Sequence, residues 1–146
     1  MRWTDVGEER CSIARALAVL GDRWTLLVLR ECFNGVRRFD AFQARLGVTR
    51  HVLTERLRRL ERHGVLTRVP YQDRPLRHEY RLTAKGRDLF PIMVTLMTWG
   101  DRHEAAPDGP PVRLVDRETG QPVTPLLVDE RTGRPVGTRT VRGQPI

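Results

Sequence analysis

From residue 12 onward, apolar positions recur at helical spacing: Ile13, Ala16, Leu17 and Leu20 form one stripe and Trp24, Leu27, Val28 and Leu29 another, separated by Gly21-Asp22. Ser12 or Cys11 can cap the first of these helices, and Asp22 the second. Asn34-Gly35 is a strong turn signal, and Arg37-Arg38-Phe39 is long enough only for a small edge strand. In the run FDAFQARLG, Asp40 is the expected cap, Phe42 and Leu46 share a face, and Gly47 provides a turn.

The next run, TRHVLTERLRRLERHG, is marked at both ends. Thr49 is a natural N-cap, Val48 and Leu53 can close a hydrophobic staple across it, and Gly64 is the stop. Leu53, Leu57 and Leu60 fall on one stripe, whereas Arg50, Thr54 and Arg58 recur at four-residue steps on another. One face packs and the other is free to meet a polyanion. The period then changes to two. VLTRVPY and LRHEYRL read as strands around the polar tip Gln72-Asp73-Arg74-Pro75, with Pro70 and Pro75 restricting the ladder to an exposed ribbon. Thr83 is expected to cap a final long helix bearing Leu89, Met93, Leu96 and Met97, kinked at Pro91 and ended by Trp99-Gly100. Helix, turn, basic helix and Arg-studded hairpin in this order predict a winged helix-turn-helix.

Residues 1–10 are polar and read as a flexible N-terminus, and the folded domain is expected over 11–104. A linker over 105–112 carries Pro107, Gly109, Pro110 and Pro111. Beyond it, residues 113–125 (RLVDRETGQPVTP) align with 126–138 (LLVDERTGRPVGT), an internal repeat in which each copy reads as strand, Asp-started turn with a left-handed Gly, and strand. Residues 139–146 are expected to be disordered.

The net charge of +8 is uneven, because residues 105–146 hold six Arg against five acids, or +1, leaving +7 for residues 1–104. The basic excess lies on the part that reads as a DNA-binding domain. No stretch approaches the ~18 apolar residues of a membrane span, and the N-terminus lacks the form of a signal peptide, so a cytoplasmic protein is expected. Its two cysteines, Cys11 and Cys32, suit a reducing compartment better than a disulfide framework.

These residues resemble the HxlR family of winged helix-turn-helix regulators within the broader MarR-like group. The resemblance rests on Cys11, Gly21-Asp22-Arg23-Trp24-Thr25-Leu26-Leu27, Arg37-Arg38-Phe39, Val52-Leu53-Thr54-Glu55-Arg56-Leu57, Pro75, Glu79-Tyr80-Arg81-Leu82-Thr83, Gly86, Pro91 and Trp99-Gly100, over about residues 10–100. It implies an α+β, mainly α, fold: a winged helix-turn-helix with additional N- and C-terminal dimerisation helices and a C-terminal β-hairpin tail. It also implies a homodimer on a palindromic double-stranded DNA operator. A minimal winged helix needs neither terminal helix, so Ile13, Leu17, Leu20, Met93, Leu96, Met97 and Trp99 are the expected dimer interface. The tail is similar to the zinc-ribbon-like knuckles of many relatives, but the ligand positions here are Asp116, Thr119, Asp129 and Thr132. Without thiolate or imidazole there, neither a metal nor another cofactor is expected. His51, His63, His78 and His103 show no ligand spacing.

Arg50, His51, Thr54 and Arg58, with Thr49 beside them, are the candidates for major-groove contact; Arg37, Arg38, Arg74 and Arg77 are candidates for phosphate or minor-groove contact. Cys11 precedes a helix and has Arg10 and Arg15 close by, surroundings that suit a reactive cysteine. Many HxlR-type regulators sense oxidants, quinones or aldehydes at such a residue, so redox or electrophile control of a repressor is the leading expectation. Cys32, among Leu29 and Phe33, reads as packing. An apolar ligand held non-covalently near Met93, Met97 and Trp99 is the alternative effector, and a protein-docking module that does not read DNA is a third reading. No Ser/His/Asp set, paired carboxylates or phosphate loop suggests an enzyme.

Overall fold

The computed structural model describes residues 2–145 and is mainly helical with one two-stranded sheet. A 3-10 helix (Trp3–Glu8) leads into α1 (Ser12–Leu20), α2 (Arg23–Phe33), α3 (Phe39–Leu46) and α4 (Arg50–Arg62). The hairpin of β1 (Leu66–Asp73) and β2 (Leu76–Leu82) follows, then α5 (Ala84–Arg87) and α6 (Phe90–His103). This is the expected mainly α winged helix-turn-helix. Among the described residues, no helix is long and apolar enough to cross a membrane.

Local chemistry accounts for most boundaries. Asp22 caps α2 by accepting hydrogen bonds from the Trp24 and Thr25 amides at 2.9 and 3.2 Å, and the Thr49 hydroxyl accepts from the Val52 amide at 3.3 Å to start α4. Gly47 and Gly64 follow α3 and α4 at φ +63° and +68°, a left-handed geometry in which a Cβ would be strained. The core joins α2, α3 and α4 through Val28, Leu29, Phe42, Leu53, Leu57 and Leu60, closed below by Val65 and Leu66. Each such side chain contributes about 1.5–3 kcal/mol by leaving water. The hydrophobic stripe predicted for α4 is wholly buried.

Several expectations are corrected. Residues 3–8 are not loose: they form a 3-10 helix, Val6 is buried, and Trp3 lies so close to Gly21 that a Cβ there would sit 2.5 Å from its ring. Helix α3 starts at Phe39 rather than after an Asp40 cap, with Arg38 in the cap position and Asp40 in the first turn. Arg37-Arg38-Phe39 forms no strand, although the Arg37 carbonyl accepts a hydrogen bond from the Tyr80 amide at 2.7 Å. The single long C-terminal helix is two. Thr83 caps only α5, and Pro91, which has no amide proton, lies in the first turn of α6, where none is needed, instead of kinking a helix from within. That helix runs through Gly100 to His103.

The chain divides into two compact units, Met1–Met93 and Val94–Ile146, so the boundary falls inside α6 and not at residues 105–112. The physical reason is the packing of α6: Leu89 and Met93 lie on the first unit's core, whereas Met97 and Thr98 line a cleft with Val112, Leu114 and Val123 of the tail. In the second unit the repeat is reproduced in three dimensions. Val115 bridges Pro122 and Val128 bridges Pro135, with Gly120 and Gly133 at φ +68° and +67°. Each expected strand pair shrinks to a single bridge, held in the first copy by the Asp116 amide on the Gln121 carbonyl and the Val123 amide on the Leu114 carbonyl, and in the second by the Asp129 amide on the Arg134 carbonyl and the Val136 amide on the Leu127 carbonyl. The segment expected to be disordered includes a hydrogen-bonded turn, in which the Thr140 and Val141 amides donate to the Gly137 carbonyl; Ile146 lies outside the described residues.

Candidate nucleic-acid interface

Much of the basic charge around α4 is structural. Arg56 gives two N–H groups to the two carboxylate oxygens of Asp22 at 2.7 and 2.8 Å, tying the middle of α4 to the start of α2. Burial pushes the Asp22 carboxyl up, but Arg56 and the capped amides outweigh it and hold the group below its usual range. Arg59 donates to the Ala18 carbonyl of α1, and Arg68 of β1 pairs with Glu61 of α4 at 2.8 Å. Glu31, buried on α2, binds Arg30 at 2.7 Å and Arg45 of α3; these two cations overcome the burial that would raise its carboxyl. With these anchors, α3 and α4 keep a fixed attitude to each other.

The exposed face of α4 carries what remains. Arg50, His51 and Arg58 are exposed and Thr54 is half-buried. Four-residue steps place Arg50, Thr54 and Arg58 about 6 Å apart along one face, a row suited to the major groove. Thr49, also a candidate, has its hydroxyl engaged as the N-cap, so its role in the free protein is to start the helix. The Arg50 guanidinium lies 4.6 Å from the centre of the Phe39 ring and 4.0 Å from the Asp40 carboxylate.

Around this row the wing and the start of α3 supply further cations. Arg74 occupies the two-residue tip of the hairpin, and Arg77 is exposed beside it opposite Gln72. Arg38 stacks over Tyr71 with 4.3 Å to the ring centre. Arg37 is exposed but turns toward the buried Glu79, 3.9 Å away, which Arg81 also holds. The structure thus gathers Arg38, Arg50, Arg58, Arg74 and Arg77 on exposed positions of α4, the wing and the α3 start. Sequence reasoning missed Phe39, Asp40 and Tyr71 as partners of these arginines. For Tyr71 the sequence held no signal, because the register slip after Pro70 that brings it to Arg38 arises only when the two strands pair.

The expected dimer residues divide. Ile13, Leu17, Leu96 and Trp99 are exposed, Ile13 by 72% and Trp99 by 56%. Leu20 is corrected: it is buried within the chain's own core and is not available to a partner. Met93 is half-buried on that core, and Met97 lines the cleft with the tail. Cys11 occupies the N-cap position of α1 and is exposed, whereas burial, followed by the neighbouring Glu31 carboxylate, pushes the Cys32 thiol up to about 12. In the tail, Asp116 accepts from the Glu118 and Thr119 amides and the Thr119 hydroxyl at 2.8–3.0 Å, and Asp129 accepts from the Arg131 amide and Thr132 hydroxyl. The would-be ligand positions close their knuckles by hydrogen bonds of their own.

Residues 19–107 match the HxlR-like helix-turn-helix family. The uncharacterized HTH-type transcriptional regulator Rv3095 of Mycobacterium tuberculosis strain H37Rv is 47% identical over 134 residues, spanning 92% of this chain and 85% of that protein. The solved structure of PA1607, a candidate transcription factor, is similar at a TM-score of 0.84 and 41% identity over 94% of this chain and 96% of that one. The oxidised form of the redox regulator HypR matches at a TM-score of 0.60 and 32% identity, covering 66% of this chain and 100% of HypR.

Proposed function

Because the chain belongs to the HxlR-like helix-turn-helix family and is a DNA-binding transcriptional regulator, we propose that it acts in the cytoplasm as a homodimeric repressor on a palindromic operator, released when an oxidant or electrophile modifies Cys11. The observation that supports the dimer is the pair of terminal helices whose apolar side chains face water in the single chain: Ile13 and Leu17 on α1, Leu96 and Trp99 on α6. Such surface belongs against a partner. Two-fold pairing presents two α4 helices to two half-sites about 10 to 10.5 base pairs apart, or a multiple of that. In each, Arg50, His51, Thr54 and Arg58 face base edges, with Arg37, Arg38, Arg74 and Arg77 on the backbone. For the signal, support comes from the exposure of Cys11 at the start of a helix and from the likeness to HypR, a redox regulator. A modified Cys11 disturbs α1, and through the dimer the spacing of the two reading helices.

A second reading, a non-covalent effector, is favoured by the cleft of about 380 Å³ lined by Met97, Thr98, Asp101, Val112, Leu114 and Val123; of Met93, Met97 and Trp99, the residues expected to hold such a ligand, only Met97 lines it. One experiment separates the two. Footprinting on DNA beside the protein's own gene supplies the operator, and binding is then measured for wild type and Cys11→Ser with and without diamide. Loss of affinity only in the oxidised wild type supports the thiol switch. Full affinity after oxidation refutes it and leaves a non-covalent effector as the leading reading. A solution mass of one 16.9 kDa chain at micromolar concentration refutes the dimer.

A further inference from the structure

The segment from Arg37 to Phe39 joins the wing to the reading helix by two cation–aromatic contacts of opposite sense. Arg38 lends its guanidinium to Tyr71 of β1, and the next residue, Phe39, offers its ring to Arg50 of α4. The hydrogen bond from the Tyr80 amide to the Arg37 carbonyl pins this segment to β2. Tyr71 reaches Arg38 because the ladder slips: Pro70 pairs with His78 and Gln72 with Arg77, so Tyr71 is the extra residue of a bulge. Bulges of this kind re-aim a side chain. The Tyr71 ring is only partly covered, and Arg38, exposed, has no carboxylate within ion-pair distance among the described residues. A guanidinium lying on a ring keeps the N–H groups at its edge free for an oxyanion.

We propose that Tyr71 is a positioning residue for DNA binding: its ring holds the Arg38 guanidinium beside the recognition helix so that Arg38 meets a backbone phosphate in one preset geometry. This rests on the reading that Arg38 touches DNA. An Arg that is already ordered loses less rotamer freedom on binding, so the ring raises affinity without itself reading sequence. Because a phosphate contact is independent of sequence, its effect is visible on any duplex.

The test is a double-mutant cycle on a mixed-sequence duplex of about 30 base pairs, long enough for two half-sites a turn apart, with affinity followed from about 50 to 200 mM salt. Arg38→Ala should weaken binding and reduce the salt slope by roughly 1. Tyr71→Leu should weaken binding about 2- to 5-fold, the range expected for a cation–aromatic contact at an exposed site. Tyr71→Phe, which keeps the ring, should bind like wild type, and Tyr71→Leu should add nothing once Arg38 is alanine. A Tyr71→Leu effect that persists in the Arg38→Ala background overturns the proposal, since Tyr71 then acts by itself or through wing stability. Equal loss in Tyr71→Phe and Tyr71→Leu also overturns it in favour of a direct hydroxyl contact. If Arg38→Ala changes neither affinity nor slope, the underlying reading of Arg38 fails and the proposal with it, an outcome distinct from additivity.

Discussion

Asp22 holds two elements at once, and removing its charge tests how α4 is kept in place. Its carboxylate caps α2 and takes a bidentate pair from Arg56 at 2.7 and 2.8 Å. Asparagine preserves the cap to within a few tenths of a kcal/mol, so Asp22→Asn isolates the ion pair. Hydrogen bonds to charged groups contribute about 1.5–3 kcal/mol when well buried; here both side chains are about a quarter exposed, 25% for Arg56 and 23% for Asp22. Discounted for that contact with water, the expected loss is about 1–2 kcal/mol. Asp22→Ala, which also removes the cap, should lose about 2–3 kcal/mol. Urea unfolding with an unchanged slope is the assay. The pH dependence gives a second check. The folded-state carboxyl titrates below its ordinary value of 3.8, so its contribution is fully present above that value and is lost as pH falls through the lower, folded one. The gap between wild type and Asp22→Asn should be flat from about pH 5 to 7 and narrow as pH falls below 3.8, while other carboxyls such as Glu31 titrate alike in both. A gap under about 0.5 kcal/mol at pH 7, or one that does not narrow as pH falls below 3.8, refutes the argument.

Gly86→Ala should destabilise the first unit by about 1–3 kcal/mol or more, because the new Cβ would sit 2.2 Å from the Val65 carbonyl oxygen; a change in urea midpoint worth less than about 0.5 kcal/mol would contradict this. With its thiol pushed up to about 12, Cys32 should resist alkylation near pH 8 in the native protein while exposed Cys11 reacts, as read by peptide mass; comparable native rates would reverse the assignment. Asp40→Asn removes the carboxylate 4.0 Å from Arg50 and should tighten binding to every duplex at low salt, with the gain fading as salt rises; weaker binding would make Asp40 a positioning partner of Arg50.

The arginines show what the charge count left open. Of the basic residues around α3, α4 and the wing, Arg45, Arg56, Arg59, Arg68 and Arg81 are held by Glu31, Asp22, the Ala18 carbonyl, Glu61 and Glu79. Those contacts fix the attitude of the helices and the wing. Arg58, Arg74 and Arg77 remain exposed, with Arg38 and Arg50 laid on aromatic rings. The bridge from Asp22 to Arg56 spans 34 positions and could not be paired from spacing alone.

What the chain determined locally was legible from its residues. The buried stripe Leu53, Leu57 and Leu60, the caps at Asp22 and Thr49, and the left-handed glycines at 47, 64, 120 and 133 depend on neighbours within a few positions. So does the 13-residue repeat that carries Val115 onto Val128 and Pro122 onto Pro135. Tertiary structure decided the rest, because it depends on which distant surfaces meet. Trp3 has a place only where Gly21 leaves room for its ring, and Leu20 is claimed by the chain's own core rather than a partner. The last helix belongs to two units because its successive turns face different neighbours, Met93 the core and Met97 the tail. Tyr71 meets Arg38 because the register slips by a residue after Pro70, a displacement that exists only once the second strand is in place.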